Sequence, residues 1–308
     1  MKGKEMEKDH CDKDSGCSSC NSANQCDEKT KNEHEDRLLH ETLSAIRHKI
    51  FVLSGKGGVG KSTVAVNLAS SLAAKGYETG ILDIDIHGPN VAKMLGVEGW
   101  MLSSAGKENK ISPFQPFPHL KVITMAGLLP DSDSPVIWRG PLKMAAIRQF
   151  LQDVAWGSLD FLVVDSPPGT GDEPLSIAQL IPDADGTVIV TTPQEVALLD
   201  SRKCVNFAKK LNLPVLGIIE NMSGLHCPHC QGLIPLFGQG GGEKAAGELD
   251  VPFLGALPIV PDMPESCDRG HPYVLAEGKS TLKDVFEEIV KRLVKDLEQE
   301  KMTGEGVA

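Results

Sequence analysis

The sequence predicts an α/β fold, with a mostly parallel, twisted sheet flanked by helices on both faces. From Lys49 onward, short runs rich in β-branched residues alternate with segments of helical periodicity, which is the pattern of βαβ units. These runs are apolar along most of their length, as expected of strands that are covered on both faces. The chain has 308 residues, 41% of them hydrophobic, which is enough to bury such a core.

The predicted strands and helices alternate along the chain. Strands are expected over 49–54, 79–83, 120–124, 161–165, 186–191, 214–220 and 253–257, and helices over 61–75, 142–153, 195–211 and 242–249. A last helix is predicted from an apolar stripe at helical spacing, formed by Leu282, Val285, Phe286, Ile289, Val290, Leu293, Val294 and Leu297. Its polar face mixes acids with bases, which favours a helix that closes the core over one that lies on a membrane.

Composition divides the chain into three parts. Residues 1–45 are rich in Lys, Glu, Asp, Ser and Asn, and predict a flexible tail because they have little apolar surface to offset the entropy of ordering. Residues 46–299 are expected to form the folded domain. Residues 300–308 are expected to be a disordered C-terminus.

The charge and the first residues limit the function and the compartment. A formal net charge of −11 argues against sequence-independent binding to nucleic acid, which relies on clustered Lys and Arg. The charged N-terminus does not fit a secretory signal, and no run approaches the ~20 apolar residues of a spanning helix. We therefore expect a cytoplasmic protein with no nucleic-acid partner and no stable membrane association. In that compartment, clustered cysteines favour metal or redox chemistry over disulfides.

Residues 55–63, GKGGVGKST, fit the pattern GxxxxGK[ST] between a predicted strand and a predicted helix. The glycines allow backbone N–H groups to approach phosphate oxygens at the helix N-terminus, whereas a simple tight turn is the alternative. Lys61 is expected at the β- and γ-phosphates of ATP, and Ser62 is expected to bind Mg²⁺. The predicted ATP-binding residues are Gly55, Lys56, Gly57, Gly58, Val59, Gly60, Lys61, Ser62, Thr63 and Asn221.

Carboxylates follow two other predicted strands. Asp83 and Asp85 lie at a strand's C-terminal end, the edge where open α/β sheets bind ligands. We expect Asp85 to position or deprotonate the attacking water, unless it only forms a turn, and Asp83 to support the phosphate-binding loop. Asp165 ends the strand FLVVD, the place of a Walker B acid that holds Mg²⁺ or its water. The catalytic residues predicted from these motifs are Lys61, Asp85 and Asp165.

Cys227 and Cys230 form a CxxC motif in the sequence HCPHC, within a loop rich in Gly and Pro. One CxxC supplies two thiolates, whereas a tetrahedral zinc ion or an iron–sulfur cluster usually needs four ligands. A twofold dimer would supply the other two from its second subunit. A zinc site completed by His226 and His229, or a thiol redox pair, is the alternative that the spacing leaves open.

The second lysine of KGGVGKST, Lys56, resembles that of the deviant Walker A motif in the MinD, ParA and nitrogenase-iron-protein class of ATPases. The resemblance implies a dimer that closes face to face on ATP, with Lys56 contacting the nucleotide of the other subunit, which adds Lys56 to the predicted catalytic residues. It also supports Asp85 at the attacking water. No guanine-specific NKxD motif is present, and the resemblance implies that the Asn221 amide pairs with adenine. Asn is also a common turn residue.

Three longer segments carry a more specific resemblance. The segments are VIWRGPLKMAAIRQFLQDVAWGSLDFLVVDSPPGTGDEPLS, IENMSGLHCPHC and LFGQGGGEKAAGELDVPFLGALPIVP. They closely resemble the Mrp/ApbC family of iron–sulfur cluster carrier ATPases, and the likeness extends over residues 49–293. The resemblance implies a homodimer that bridges a labile 4Fe–4S cluster through Cys227 and Cys230 of each subunit. It also implies delivery of the cluster to apo-proteins and slow, regulatory ATP hydrolysis.

Two other functions share the same nucleotide motif. A spatial-organising ATPase of MinD or ParA type would not need the CPHC sequence or the cysteines of the tail. A reductase like the nitrogenase iron protein would also bridge a cluster, but its cysteine placement and surrounding motifs differ from those of this sequence.

The tail contains a second group of cysteines. Cys17, Cys20 and Cys26 have the CxxCxxxxxC spacing, which resembles the amino-terminal cluster site of the eukaryotic cytosolic scaffold branch. Cys11 lies closer to this trio than the first cysteine of that pattern does. We expect these four thiols to hold a second 4Fe–4S cluster, with an unstructured tail and incidental thiols as the alternative. The predicted metal ligands are thus Cys11, Cys17, Cys20, Cys26, Cys227, Cys230 and Ser62.

Overall fold

The computed structural model describes residues 28–85, 88–105, 110–128 and 140–304. The tail cysteines Cys11, Cys17, Cys20 and Cys26 lie outside the described residues, and their cluster stays a prediction. In the described ranges, none of the helices combines the length and the apolar composition that crossing a membrane requires.

Strands and helices alternate along most of the chain. The strands are β1 Ile46–Leu53, β2 Thr79–Asp83, β3 Ser104–Ala105, β4 Lys110–Ile111, β5 Phe114–Phe117, β6 Leu120–Thr124, β7 Leu159–Asp165, β8 Gly186–Thr191, β9 Val215–Glu220, β10 Leu225–His226, β11 Leu233–Ile234 and β12 Phe253–Ala256. The α-helices are α1 Glu28–Ser44, α2 Lys61–Ala74, α3 Asn90–Met94, α4 Gly140–Gln152, α5 Asp172–Leu180, α6 Glu195–Lys210, α7 Gly241–Leu249, α8 Met263–Asp268 and α9 Thr281–Gly304. Two 3₁₀ turns cover Met125–Leu128 and Tyr273–Leu275.

The main sheet has eight strands in the order β12-β9-β8-β1-β7-β2-β6-β5. All neighbouring strands are parallel except β5 and β6, so the predicted mostly parallel sheet is confirmed. Every strand predicted from the apolar runs is present. The antiparallel β5 was missed because its four residues include Pro116 and show no alternating pattern, which suits an edge strand.

Two apolar layers cover the two faces of the sheet. One layer contains Leu68 of α2 and Phe286 of α9, packed with the strands. The other contains Phe150 of α4, Val205 of α6 and Ala246 of α7. The α9 stripe is buried at six positions and half-buried at Val285 and Val294, as a core-closing helix requires.

The structure corrects two predicted boundaries. Residues 28–44, assigned to the flexible tail, form α1, whose Leu39 and Leu43 are buried in the second layer. The buried ammonium group of Lys49 donates to the Leu43 carbonyl at the end of this helix. Packing of a few apolar side chains therefore outweighs the polar composition that predicted disorder. At the other end, α9 extends to Gly304, so residues 300–304 are helical instead of disordered.

Candidate functional site

The phosphate-binding loop, residues 55–60, connects β1 to the start of α2. Gly60 has a φ of 83° and precedes the first helical residue, a left-handed conformation that glycine adopts without strain. At Gly55, a Cβ atom would lie 2.3 Å from the backbone carbonyl carbon and oxygen of Asp200 in α6. Glycine at this position therefore allows α6 to pack directly against the loop.

Lys61 lies among the carboxylates that follow β2 and β7. Its Nζ atom is 2.6 Å from Oδ1 of Asp165 and 3.8 Å from Oδ2 of Asp85. The Ser62 hydroxyl lies 3.4 Å from the same nitrogen. Asp83 and Asp165 are register partners on adjacent parallel strands, which explains why residues so distant in sequence meet at one sheet edge. The structure thus brings together Lys61, Ser62, Asp85 and Asp165, and their roles in ATP hydrolysis stay predictions.

Asp83 is fully buried and shapes the backbone that carries Asp85. Its Oδ2 accepts a hydrogen bond from Oγ1 of Thr124 at 2.9 Å, and its Oδ1 accepts one from the backbone N–H of Asp85 at 3.1 Å. Burial, with Asp165 adding to it, raises the pKa of Asp83 well above the ordinary value. Burial also raises the pKa of Asp165, and the Lys61 ammonium opposes that shift.

Several buried oxygen atoms at this edge have no hydrogen-bond partner among the residues that the structure describes. They are Oδ1 of Asp85, Oδ2 of Asp165 and Oγ of Ser166. Buried polar oxygens are normally satisfied, so partnerless oxygens indicate groups that take their partner from a ligand. Carboxylate and hydroxyl oxygens are the donors that Mg²⁺ prefers, and the residues present therefore fit the predicted ion.

Asn221, directly after β9, lies against the phosphate-binding loop. Its Nδ2 donates to the carbonyl oxygen of Val59 at 2.9 Å, and its backbone N–H donates to the carbonyl oxygen of Thr191 at 2.7 Å. A Cβ atom at Gly60 would lie 2.2 Å from the same Nδ2. Asn221 therefore contacts the phosphate-binding loop, while its pairing with adenine stays a prediction.

Cys227 and Cys230 lie at the tip of a short hairpin, residues 225–234, which we call the cysteine hairpin. Strands β10 and β11 pair antiparallel, and the Cys227 N–H donates to the Gly232 carbonyl at 2.9 Å. Cys230 is exposed and Cys227 is half-buried. Backbone N–H groups of Cys230 and His229, together with the Cys230 side chain, lower the pKa of Cys227, which favours the ligating thiolate.

Within one subunit, the described residues bring no third metal ligand to the two thiols of the hairpin. Across the part of the chain that the structure describes, no set of three or more His, Cys, Asp or Glu side chains is arranged to hold a metal ion. In this arrangement, His226 and His229 are not grouped with the two thiols as metal ligands. The remaining cysteines of this part, Cys204 and Cys267, are buried, Cys204 within the second apolar layer, and burial raises the pKa of Cys204 to about 12.

An exposed apolar surface borders the hairpin. Of the nine large apolar side chains exposed in the described ranges, six belong to the hairpin, the residues after it and the first turns of α6. A Cβ atom at Gly241, the first residue of α7, would lie 2.4 Å from the Pro193 carbonyl oxygen and 2.8 Å from Cδ1 of Leu198, so the end of the segment after the hairpin lies beside the start of α6. We call this surface the apolar patch; it consists of Val196, Leu199, Leu233, Ile234, Leu236 and Phe237. Sequence reasoning missed it because Val196 and Leu199 look like ordinary core positions of a helix.

Comparison with known sequences shows the family. Residues 45–294 match the ParA family model described as NUBPL iron-transfer P-loop NTPase. An iron–sulfur cluster carrier protein of Methanocaldococcus jannaschii is 52% identical over 291 residues, covering 94% of this chain and 98% of that protein. A protein of the same name from Saccharolobus solfataricus is 48% identical over 265 residues, covering 85% of this chain and 88% of that protein.

Comparison with solved structures agrees with the site. A nucleotide-binding protein from Archaeoglobus fulgidus, in complex with ADP, has a TM-score of 0.68 at 37% identity, covering 77% of this chain and 92% of that chain. The cell division ATPase MinD of Pyrococcus furiosus has a TM-score of 0.60 at 25% identity, covering 81% of this chain and 99% of that chain. Because the family model covers residues 45–294, this protein belongs to the NUBPL iron-transfer family of P-loop NTPases, and is an ATP hydrolase with a MinD-like fold.

Proposed function

We propose that this protein is an ATP-dependent iron–sulfur cluster carrier, which holds a labile 4Fe–4S cluster between two subunits and transfers it to apo-proteins. The observation that carries the proposal is the pair Cys227 and Cys230, accessible at a hairpin tip that offers two thiolates where a cluster needs four. Two relatives that are 52% and 48% identical to this chain are named iron–sulfur cluster carrier proteins, which supports an iron–sulfur cluster as the cargo.

The apolar patch supports a homodimer. Contiguous exposed apolar surface marks an interaction site more often than it marks an ordinary monomer surface. Because the patch borders the cysteine hairpin, a twofold axis through this region would bring two CxxC pairs together and bury Leu233, Ile234 and Phe237. One symmetric contact would then complete the ligand set and cover the apolar side chains.

The same contact would join the cluster to the nucleotide. Helix α6 carries Val196 and Leu199 in the patch and packs its Asp200 backbone on Gly55. Lys56 is the next residue of the loop, so Lys56 lies close to the helix that carries two residues of the patch. Closure of the dimer on ATP would let Lys56 reach the nucleotide of the other subunit, and the nucleotide would thereby control the geometry of the cluster site.

Each residue of the nucleotide site has its own role in slow ATP hydrolysis. Lys61 and Lys56 stabilise negative charge on the transferring phosphoryl group, and Asp85 orients the attacking water. Mg²⁺, held by Ser62 and by Asp165 directly or through water, would neutralise further charge on the phosphate oxygens. We also propose a cytoplasmic location, apo-proteins as recipients and a second cluster on Cys11, Cys17, Cys20 and Cys26.

Anaerobic reconstitution with iron and sulfide tests the carrier function. In a background with the four tail cysteines replaced by Ala, the protein should bind about two irons per chain, equivalent to one 4Fe–4S cluster per dimer. The Cys227→Ala/Cys230→Ala variant should bind none. A matched control, His226→Ala/His229→Ala, should keep the iron, because the thiolates remain. Binding of zinc alone, or failure to transfer the cluster to an apo-4Fe–4S protein, would contradict the proposal.

A further inference from the structure

A buried carboxylate lies between the nucleotide site and the cysteine hairpin and belongs to neither. Glu220, the last residue of β9, is fully buried. Its Oε1 accepts hydrogen bonds from the Ser223 hydroxyl at 2.5 Å and the Gly240 N–H at 2.9 Å, and its Oε2 accepts one from the Gly242 N–H at 2.5 Å. Within the described ranges no cation pairs with it, so N–H and O–H groups alone satisfy its charge.

This carboxylate ties both ends of the segment that carries the thiols. Ser223 lies just before β10, and Gly240 and Gly242 lie at the start of α7, after the hairpin. A Cβ atom at Gly242 would lie 2.9 Å from the Cβ of Glu220 and 3.2 Å from its Oε2, so glycine makes room for the carboxylate. The segment that carries Cys227 and Cys230 is therefore bound at both of its ends by the Glu220 side chain.

The same stretch of backbone contacts the phosphate-binding loop. Asn221, next to Glu220, donates to the Val59 carbonyl, and a Cβ atom at Gly60 would lie 3.8 Å from Cε of Met222. Met222 has a φ of 58°, a left-handed conformation that bulky residues rarely adopt. Strained residues of this kind persist where the surrounding structure holds them, so contacts around Met222 hold the backbone in this conformation.

We propose that Glu220 is a positioning residue that transmits the state of the nucleotide site to the cysteine hairpin, an inference that rests on the proposed carrier function. A nucleotide that shifts Val59 and Gly60 displaces Asn221 and, through the backbone, Glu220. Release of the N–H groups of Gly240 and Gly242 would leave a buried charge unsatisfied, so the hairpin base moves with the end of β9. By linkage, a constraint on the hairpin changes nucleotide affinity by the same factor.

Thiol labelling of the full-length protein without a cluster tests this link. Alkylation of the peptide that contains Cys227 and Cys230 is followed by mass spectrometry, with and without Mg²⁺ and a non-hydrolysable ATP analogue. In the wild type, the nucleotide should change the labelling rate by ~3-fold or more, within the usual range of allosteric coupling. In Glu220→Gln, the ratio of the labelling rates with and without nucleotide should fall close to unity, while nucleotide affinity is retained. Glu243→Gln removes an exposed charge from the first turn of α7, the helix whose N-terminus Glu220 binds, and should behave as wild type.

Three results would overturn the inference: a wild-type labelling ratio near unity, an unchanged ratio in Glu220→Gln, or loss of nucleotide binding together with the ratio, which would indicate a merely structural role. If Glu220→Gln does not fold, Ser223→Ala removes one of the carboxylate's hydrogen bonds and should still lower the ratio; an unchanged ratio there also overturns the inference. Failure of the wild type to bind a cluster would contradict the carrier function without altering the labelling result.

Discussion

The ammonium nitrogen of Lys61 lies 2.6 Å from a carboxylate oxygen of Asp165, and the Lys61 side chain is only 6% exposed while that of Asp165 is fully buried. The pair joins the first residue of α2 to the last residue of β7, which are 104 positions apart. Each charge is the main compensation for the other in a site with little access to water. If Lys61 and Asp165 act as proposed, stability and hydrolysis depend on the same two side chains.

Replacement of Lys61 by Ala should lower both properties. The uncompensated Asp165 carboxylate should cost about 3–5 kcal/mol of unfolding free energy, and hydrolysis should fall by ~10²–10³-fold. The double variant Lys61→Met/Asp165→Asn should regain most of the stability but none of the activity. Urea unfolding and phosphate release measure the two effects. Equal stability of the single and double variants would contradict a compensating pair.

Lys56 should act across the dimer. Lys56→Ala should abolish hydrolysis with little loss of stability, because this side chain is half-exposed. Mixing it with an equal amount of Lys61→Ala should restore activity to about a quarter of the wild-type rate, since half of the dimers then contain one intact composite site. Phosphate release by the mixture measures this recovery. Activity that stays at the level of the separate variants would show that Lys56 acts within its own subunit.

Asp83 should make stability fall with rising pH. Its folded-state pKa lies above the unfolded value of 3.8, so between these two values the native state binds more protons than the unfolded state, and unfolding free energy decreases as pH rises. Asp83→Asn cannot ionise, and its stability relative to wild type should increase from pH 4 to pH 8. Urea titrations of both proteins across this range measure the difference. A difference that does not change with pH would contradict the buried, proton-retaining carboxyl group.

Phe237, in the apolar patch, should control the oligomeric state. Phe237→Asp places a charge within the proposed interface and should shift the protein to monomers, as measured by sedimentation velocity. Leu142→Asp is the matched control, because Leu142 is also a large exposed apolar residue but lies on α4, outside the patch. If both variants sediment as the wild type does, the patch is not the dimer interface. If both dissociate, the effect is not specific to the patch.

Much of the fold was predictable because its causes are local. Apolar runs predict β1, β2, β7, β8 and β9, and the helical periodicity of apolar residues predicts α9. Both patterns indicate which side chains face a core, and both are visible in residues close together in sequence. Helix α1 was not predictable in this way, since few of its residues are apolar. Its order depends on Leu39 and Leu43 meeting a surface built from distant parts of the chain.

The functional residues also separate into those that a local sequence motif identifies and those that only tertiary contacts reveal. GKGGVGKST and CPHC identify nucleotide and thiolate chemistry from sequence, because each requires particular residue types at short, fixed spacing. Sequence does not reveal that Glu220 ties the hairpin ends together, or that α6 joins Gly55 to the apolar patch. These contacts depend on which strands are neighbours and how closely a helix can approach a glycine. Strand order and packing distance arise only when the whole chain folds, and no short window of residues contains them.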